Sequence, residues 1–198
     1  MKQEISLDGE WKFTERGTGI WKEGLVPGCV QMDLIRLGEL PDPYYGLNEI
    51  KYHALEDKKW VYRKEFELDE SSRDYDCVRL HFEGLDTFAD IYLNEKFIGK
   101  TENMLIPHSF EIKEFIKEGR NELEIHFYST IRTAKVLQME SAFDLEYCCE
   151  PAAPYVRKAH YSFGWDWSPR ILQTGIWRPV YIELVDKAEI VNPFFYTQ

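Results

Sequence analysis

The 198-residue sequence has no long apolar run, fewer basic than acidic residues, and few cysteines and histidines. No stretch approaches the roughly 20 apolar residues that a membrane-spanning helix needs. The opening residues, MKQEISLDGEWKF, also lack the apolar core of a secretion signal. We therefore expect no membrane segment and, if Met1 is the natural start, a cytoplasmic location.

Basic residues are outnumbered by acidic ones. The chain carries 24 Lys and Arg residues against 35 Asp and Glu residues, for a net charge of −11. Nucleic acids and anionic membranes both require a basic face on the protein that binds them. We therefore expect neither of them as a partner.

The sequence indicates neither a metal centre nor a nucleotide site. Its four cysteines include no C-x-x-C pair, and no histidines follow at zinc-finger spacing. It contains no phosphate-binding loop, dinucleotide fingerprint or G-x-S-x-G motif, so we expect no cofactor. Cys77 lies in an apolar strand pattern and is expected in the core. Adjacent Cys148 and Cys149 are expected to be two reduced thiols on a loop or helix, with a redox-active pair as the alternative.

Aromatic residues make up 15% of the chain, and several short segments alternate apolar with polar residues. This alternation is typical of strands with one face in a core and the other in solvent. The segments are 60–69, 77–83, 89–93, 121–128 and 178–185. Their inner faces predict a shared buried set: Val78, Leu80, Phe82, Ile91, Leu123, Ile125, Phe127, Ile182 and Leu184.

Turn and helix signals complete the prediction of the fold. Residues 93–97 predict a tight hairpin turn, and only 29–37 and 132–146 have the character of helices. Many short strands without a strand–helix–strand rhythm are typical of an all-β fold. We predict an antiparallel two-sheet jelly-roll sandwich over residues 1–186.

One stretch does not fit a simple sandwich. About 45 residues separate the strand that ends near Ser129 from the strand that starts near Ile176, far more than a usual connection. Aromatic residues are too frequent in this stretch for it to be disordered. We call residues 129–176 the excursion. Because binding residues tend to lie on ordered loops that a rigid scaffold presents, we expect the candidate site here.

The densest part of the excursion contains Trp165-Asp166-Trp167. A carboxylate between two flat aromatic side chains suits a sugar, whose C–H faces pack on rings while neighbouring hydroxyls donate to one acceptor. Arg157 and Arg170 are candidates to hold Asp166 through charge-assisted hydrogen bonds. Alternatively, both tryptophans belong to the core and Asp166 caps a turn.

Four segments resemble the amino-terminal domain of β-mannosidases in glycoside hydrolase family two. The first and third, 7–13 (LDGEWKF) and 82–94 (FEGLDTFADIYLN), are shared across the wider family. The second, 26–34 (VPGCVQMDL) with 41–49 (PDPYYGLNE), and the fourth, 157–170 (RKAHYSFGWDWSPR) with 175–180 (GIWRPV), contain the motifs most specific to the mannosidase-like branch. Gln31 and Ser168 depart from the pattern, which commonly has His and Gly there. Gln31 is expected to change little, and Ser168 is expected to add a side chain next to the pocket.

The resemblance implies a galactose-binding-like jelly roll whose Trp165, Asp166 and Trp167 line the subsite for a terminal mannose. It also implies a neighbouring (β/α)₈ barrel that carries both catalytic glutamates. Such a barrel needs roughly 250 residues and does not fit in this chain, so 187–198 is expected to begin the connection to it. The isolated chain is therefore expected to be inactive, with a β-mannoside as substrate of the parent enzyme.

Retaining glycosidases use a pair of carboxylates, and some have Asn-Glu at the acid/base position. The dipeptides that end in Glu49, Glu95 and Glu122 are interpreted here as solvated surface pairs, with Glu49 the least settled. Two other functions remain open. One is a stand-alone carbohydrate-binding module, and the other is the equivalent domain of an exo-β-glucosaminidase.

Overall fold

The computed structural model of the chain describes residues 2–145, 147–186 and 194–197. The strands are β1 Lys2–Ser6, β2 Gly9–Glu15, β3 Lys22–Val26, β4 Trp60–Leu68, β5 Cys77–Phe82, β6 Leu85–Asp86, β7 Ala89–Leu93, β8 Lys96–Thr101, β9 His108–Glu111, β10 Gly119–Phe127, β11 Gly175–Ile176 and β12 Val180–Val185. The α-helices are α1 Val30–Arg36, α2 Ile50–His53 and α3 Thr130–Glu140, and short 3₁₀ helices cover Glu70–Arg73, Ala153–Tyr155 and His160–Phe163.

The strands form two main antiparallel sheets. One has the order β1-β12-β5-β9, and the other has the order β3-β2-β4-β10-β7-β8. A short third pair joins β6 with β11, at the point where the chain returns from the excursion. This architecture confirms the predicted all-β sandwich. Among the described residues, no helix has both the length and the apolar character needed to cross a membrane.

Both main sheets contribute to one hydrophobic core. All nine residues predicted to be buried there are at most 2% exposed, because strict alternation directs them inward from their strands. Cys77 was predicted in the core as well, and this is wrong. Val78 occupies the inward position of β5, so neighbouring Cys77 lies on the opposite face and is only half-buried.

The predicted hairpin at 93–97 is present between β7 and β8. Asn94 and Glu95 both have positive φ, 52° and 68°, as a tight two-residue turn requires. The Asn94 side-chain amide donates to the Phe115 carbonyl and to the Asn121 side chain, both at 2.8 Å. These bonds hold the turn against the start of β10.

The alternation pattern does not predict the first three strands. β3 shows why: Leu25 is exposed while Gly24 and Val26 are buried, so its hydrophobic sequence does not match its buried face. β3 and β1 are edge strands. A strand with one neighbour is less completely buried on its inner face, which weakens the alternation.

The excursion is folded rather than extended. It contains α3 and two 3₁₀ helices, which enclose a second, smaller core beside the sandwich. Helix α3 begins two residues before the predicted start because the Ser129 hydroxyl caps it, accepting from the Arg132 backbone N–H at 3.2 Å. The helix ends at Glu140, short of the predicted 146. Of the expected connection at 187–198, residues 187–193 and 198 lie outside the described residues.

Candidate functional site

Trp165 and Ser168 close a tight turn that presents the predicted site residues to solvent. The Trp165 N–H donates to the Ser168 carbonyl at 3.0 Å, and the Ser168 N–H donates back at 3.1 Å. Asp166 and Trp167 therefore lie at the tip, where Asp166 is exposed and Trp167 is 75% exposed. Trp165 is 43% exposed. The alternative in which both tryptophans belong to the core is wrong.

Tyr147 supports this turn from beneath. Its ring stacks on Trp165 with 5.9 Å between ring centroids. Its hydroxyl donates to the backbone carbonyls of His160 at 3.3 Å and Gly164 at 3.5 Å. Gly164 has a φ of 95°, which favours glycine directly before the turn. The aromatic face of Trp165 is thus held by a second ring, although the turn itself is exposed.

Arg170 fixes the far end of the turn through two glutamates. Its guanidinium donates to both carboxylate oxygens of Glu56, at 2.8 and 2.7 Å, and to Glu150 at 3.1 Å. The hydrogen bond with Glu56 is the largest of the effects that raise the pKa of Arg170. Arg170 therefore anchors the loop to the segment before β4, instead of pairing with Asp166 as expected.

Arg157 is exposed, and its backbone carbonyl accepts from the Met104 N–H at 3.0 Å. Within the described residues, Arg157 forms no ion pair with Asp166. The two arginines thus do not converge on this carboxylate. Asp166 remains accessible to a ligand.

An open cleft of about 640 Å³ lies against the turn. Its opposite wall comes from the loop before α2, which contains the 41–49 motif singled out in the sequence. The fold thus brings together two segments that are more than 110 residues apart in the chain. The cleft is lined by Pro43, Tyr44, Gly46, Glu49, Cys149 and residues 164–170.

The opposite wall is braced by its own side chains. Asp42 accepts from the Tyr44 N–H at 2.9 Å, and the Asn48 side chain donates to the Asp42 carbonyl at 3.0 Å. The buried Tyr52 donates from its hydroxyl to the Pro41 carbonyl at 2.6 Å. These contacts hold the exposed ring of Tyr44 at the cleft.

Glu49 is a cleft residue that sequence reasoning left among the surface carboxylates. It is half-buried and lines the same cleft as Asp166. By contrast, Glu95 occupies the β7–β8 turn, and Glu122 lies 3.5 Å from Arg63 on the outer face of its sheet. In the sequence, Glu49 differed from the other two glutamates in one respect, which is that it is the last residue of the 41–49 motif.

Lys158 joins the excursion to the sandwich and was not singled out in the sequence. It is 2% exposed and donates to both carboxylate oxygens of Asp86 and, at 2.9 Å, to the Gln173 carbonyl. Thr87 also donates its hydroxyl to Asp86. A charge buried to this extent requires a partner. Lys158 therefore connects its own segment of the excursion both to β6 and to the segment just before β11.

Gln31, in helix α1, holds the same segment before β11. Its side chain donates to the Leu172 carbonyl at 2.8 Å and accepts from the Thr174 N–H at 3.2 Å. The residue lies in the short helix, as predicted, and it is 4% exposed. We expected glutamine in place of histidine to have little effect at this position. That expectation did not include these two hydrogen bonds, which hold the excursion to α1.

The site has the composition of a sugar-binding surface. The exposed rings of Tyr44, Trp165 and Trp167 offer flat apolar faces, and the carboxylates of Asp166 and Glu49 offer acceptors for hydroxyl donors. One side of the cleft is open to solvent. The arrangement suits recognition of a ligand that a further surface would cover.

Comparisons with known proteins identify the family of this chain. The family model for the glycosyl hydrolase 2 galactose-binding domain-like family matches residues 11–178. A β-mannosidase from Capra hircus is 34% identical over 98% of the chain, which corresponds to 23% of that protein.

Solved structures show the same fold. The β-D-mannosidase from Dictyoglomus thermophilum superposes with a TM-score of 0.93 at 39% identity, covering 96% of this chain and 23% of that protein. An exo-chitosanase from Amycolatopsis orientalis gives a TM-score of 0.67 at 17% identity, with coverage of 91% and 20%. This second likeness shows the fold alone. The chain spans less than a quarter of the length of these proteins.

Proposed function

The chain belongs to the galactose-binding-like domain family of glycosyl hydrolase 2, and we propose that it is the non-catalytic N-terminal domain of a retaining β-mannosidase. In this proposal its cleft forms part of the subsite for the terminal mannose. The catalytic glutamates belong to a (β/α)₈ barrel elsewhere in the parent protein. The observation that carries the proposal is the cleft itself, whose walls are the 41–49 loop and the Trp165–Ser168 turn.

The open shape of the cleft supports a shared site. Tyr44 and Trp167, which both line it, are each at least 75% exposed. Large exposed apolar side chains that line one cleft are typical of an interaction site. A ligand pocket normally buries most of its ligand. The proposal assigns the missing wall to the barrel, consistent with the small share of its relatives that this chain spans.

Asp166 is proposed to bind the sugar directly. Its carboxylate is free of protein partners among the described residues and lies between two exposed indole rings. Two neighbouring hydroxyls of a terminal mannose can donate to its two oxygens, while the ring face packs on tryptophan. Glu49 is then a second acceptor from the opposite wall.

Substitution of Asp166 in the full-length protein tests this proposal. Each hydroxyl–carboxylate bond in a partly dry site contributes about 1.5–3 kcal/mol. Loss of two should lower kcat/KM for nitrophenyl β-mannoside by roughly 10²–10⁴-fold in Asp166→Ala. Asp166→Asn keeps the shape, removes the charge and should be milder. Asp74→Ala is the matched control, since Asp74 is exposed and does not line the cleft.

Melting temperature measured on the same variants separates binding from stability. The proposal expects a normal melting temperature with low kcat/KM in Asp166→Ala. A variant that melts early but keeps near-normal kinetics in its folded fraction would support a structural role. A normal kcat/KM would rule out entry of the turn into the pocket.

Two further measurements separate the alternatives. The isolated chain should hydrolyse no β-mannoside and should bind mannose weakly, because half of the pocket is absent and unordered walls reduce affinity. Micromolar mannose binding by calorimetry would instead favour a stand-alone binding module. A panel of nitrophenyl glycosides tested on the full-length protein distinguishes β-mannosidase from exo-β-glucosaminidase.

A further inference from the structure

Two adjacent thiols lie at the edge of the cleft. The sulfur atoms of Cys148 and Cys149 are 3.4 Å apart, and both side chains are exposed. Cys149 also lines the cleft together with Trp165 and Asp166. The other two cysteines differ, since Cys29 is buried and Cys77 is half-buried. The exposed pair is thus accessible both to a small oxidant and to a ligand in the cleft.

The residues on either side of the pair hold the site together. Tyr147, directly before it, stacks on Trp165 and donates to the Gly164 carbonyl. Glu150, directly after it, accepts from Arg170 at 3.1 Å. A change of backbone geometry at 148–149 must therefore move at least one support of the turn.

We propose that Cys148 and Cys149 are a reversible modification site, in which a vicinal disulfide forms and reshapes the sugar cleft. Adjacent Cα atoms are about 3.8 Å apart, whereas disulfides usually join Cα atoms about 4.4–6.8 Å apart. The ring that closes is therefore strained. Strained and exposed disulfides are readily reduced, which makes them suited to regulation rather than to stability.

The oxidant is a small-molecule disulfide such as oxidised glutathione. One of the two cysteine thiolates attacks one of its sulfurs, and one glutathione thiolate leaves. The other cysteine then loses its proton and attacks the protein sulfur of the mixed disulfide, expelling the second glutathione. Two protein thiols are oxidised, and one glutathione disulfide is reduced to two thiols.

Either cysteine can attack first, because either sulfur can be the donor of the hydrogen bond between them. That bond is the largest of the effects that raise the pKa of Cys149, and the nearby Asp166 carboxylate raises it further, whereas Arg170 lowers it.

Peptide mapping of the full-length protein tests whether the disulfide forms. Trypsin releases residues 136–157, which contain Cys148, Cys149 and no other cysteine. After treatment with oxidised glutathione, this peptide should resist alkylation and be lighter by about 2 Da, the mass of two hydrogens. Dithiothreitol should reverse both changes. A peptide that alkylates fully, or carries only glutathione adducts, would overturn the proposal.

Activity tests the effect on the cleft, which rests on the proposed function. Oxidation should lower kcat/KM for nitrophenyl β-mannoside by about twofold to tenfold, the effect of losing one aromatic contact. The loss should be absent in the Cys148→Ser/Cys149→Ser variant and retained in Cys77→Ser. An oxidised peptide with unchanged kinetics would overturn the effect on the cleft.

A fluorescence arm separates this inference from the proposed function. Oxidation should change the tryptophan emission of the wild type, and Trp165→Phe should remove most of that change. If the reduced protein shows no β-mannosidase activity, the proposed function fails, yet the peptide mass and the emission still decide this inference. Emission that does not respond to a confirmed disulfide overturns the link to Trp165.

Discussion

Replacing Lys158 by methionine should destabilise this domain more than the loss of an ordinary lysine would. The ammonium group is completely buried and bonds to both oxygens of Asp86 and to the Gln173 carbonyl. Methionine fills similar space but leaves the Asp86 carboxylate, 3% exposed, with the Thr87 hydroxyl as its remaining hydrogen-bond donor among the described side chains. Removing one member of a buried ion pair costs about 3–5 kcal/mol.

Urea unfolding of the 198-residue chain gives the free energy directly, and calorimetry should show a melting temperature lower by about 6–20 °C. The double variant Asp86→Asn/Lys158→Met tests the cause, because it removes the stranded charge. It should be more stable than Lys158→Met alone.

The matched control is Lys100→Met. Lys100 pairs with Glu102 on the surface, where both side chains are at least 60% exposed, so its replacement should leave the unfolding midpoint unchanged. A cost below about 1 kcal/mol for Lys158→Met would contradict the reasoning. So would a double variant no more stable than the single one.

Three further outcomes follow from the packing and the charges. Phe127→Ala should cost about 2–5 kcal/mol in urea unfolding, since the ring is 1% exposed in the shared core, and a cost below about 0.5 kcal/mol would mean that its inward face was misassigned. Arg170→Gln should cost about 1.5–3 kcal/mol, because two half-buried glutamates lose a charged donor, whereas Arg132→Gln on the exposed surface should have no measurable effect. Glu124 has a pKa lowered from 4.5, chiefly by its hydrogen bond with His126, so its contribution to stability is present above pH 4.5 and is lost as the pH falls through the folded-state pKa. Glu124→Gln should therefore show a smaller loss of unfolding free energy on acidification, and an unchanged pH profile would count against this ion pair.

Much of the fold was predictable because strand alternation is a local property. Each of Leu80, Ile91 and Ile125 faces the core for the same reason: its neighbours on either side are polar, and the strand directs every second side chain to one face. The hairpin at Asn94-Glu95 was predictable on similar grounds, because asparagine, which tolerates positive φ, lay between apolar runs. The edge strand β3 was not predictable, because Gly24 takes an inward position that an apolar residue would normally mark.

The candidate site was predictable only in part. The Trp165-Asp166-Trp167 motif was identified from its composition, and the structure places Asp166 and Trp167 at an exposed tip; their role in sugar binding stays a prediction. Composition did not predict that Glu49 lines the same cleft. Nor did it predict that Arg170 bonds to Glu56 instead of Asp166.

Sequence alone therefore determined the faces of the regularly alternating strands, the turn chemistry and the aromatic motif, all of which depend on residues a few positions apart. Tertiary structure decided the partners of the charged groups. Arg170 meets a glutamate 114 positions away, and Lys158 meets an aspartate 72 positions away. A buried charge must find an opposite charge wherever the fold brings one near. Local periodicity carries no information about which distant segment that is, because it is set by how the excursion folds back onto the sandwich.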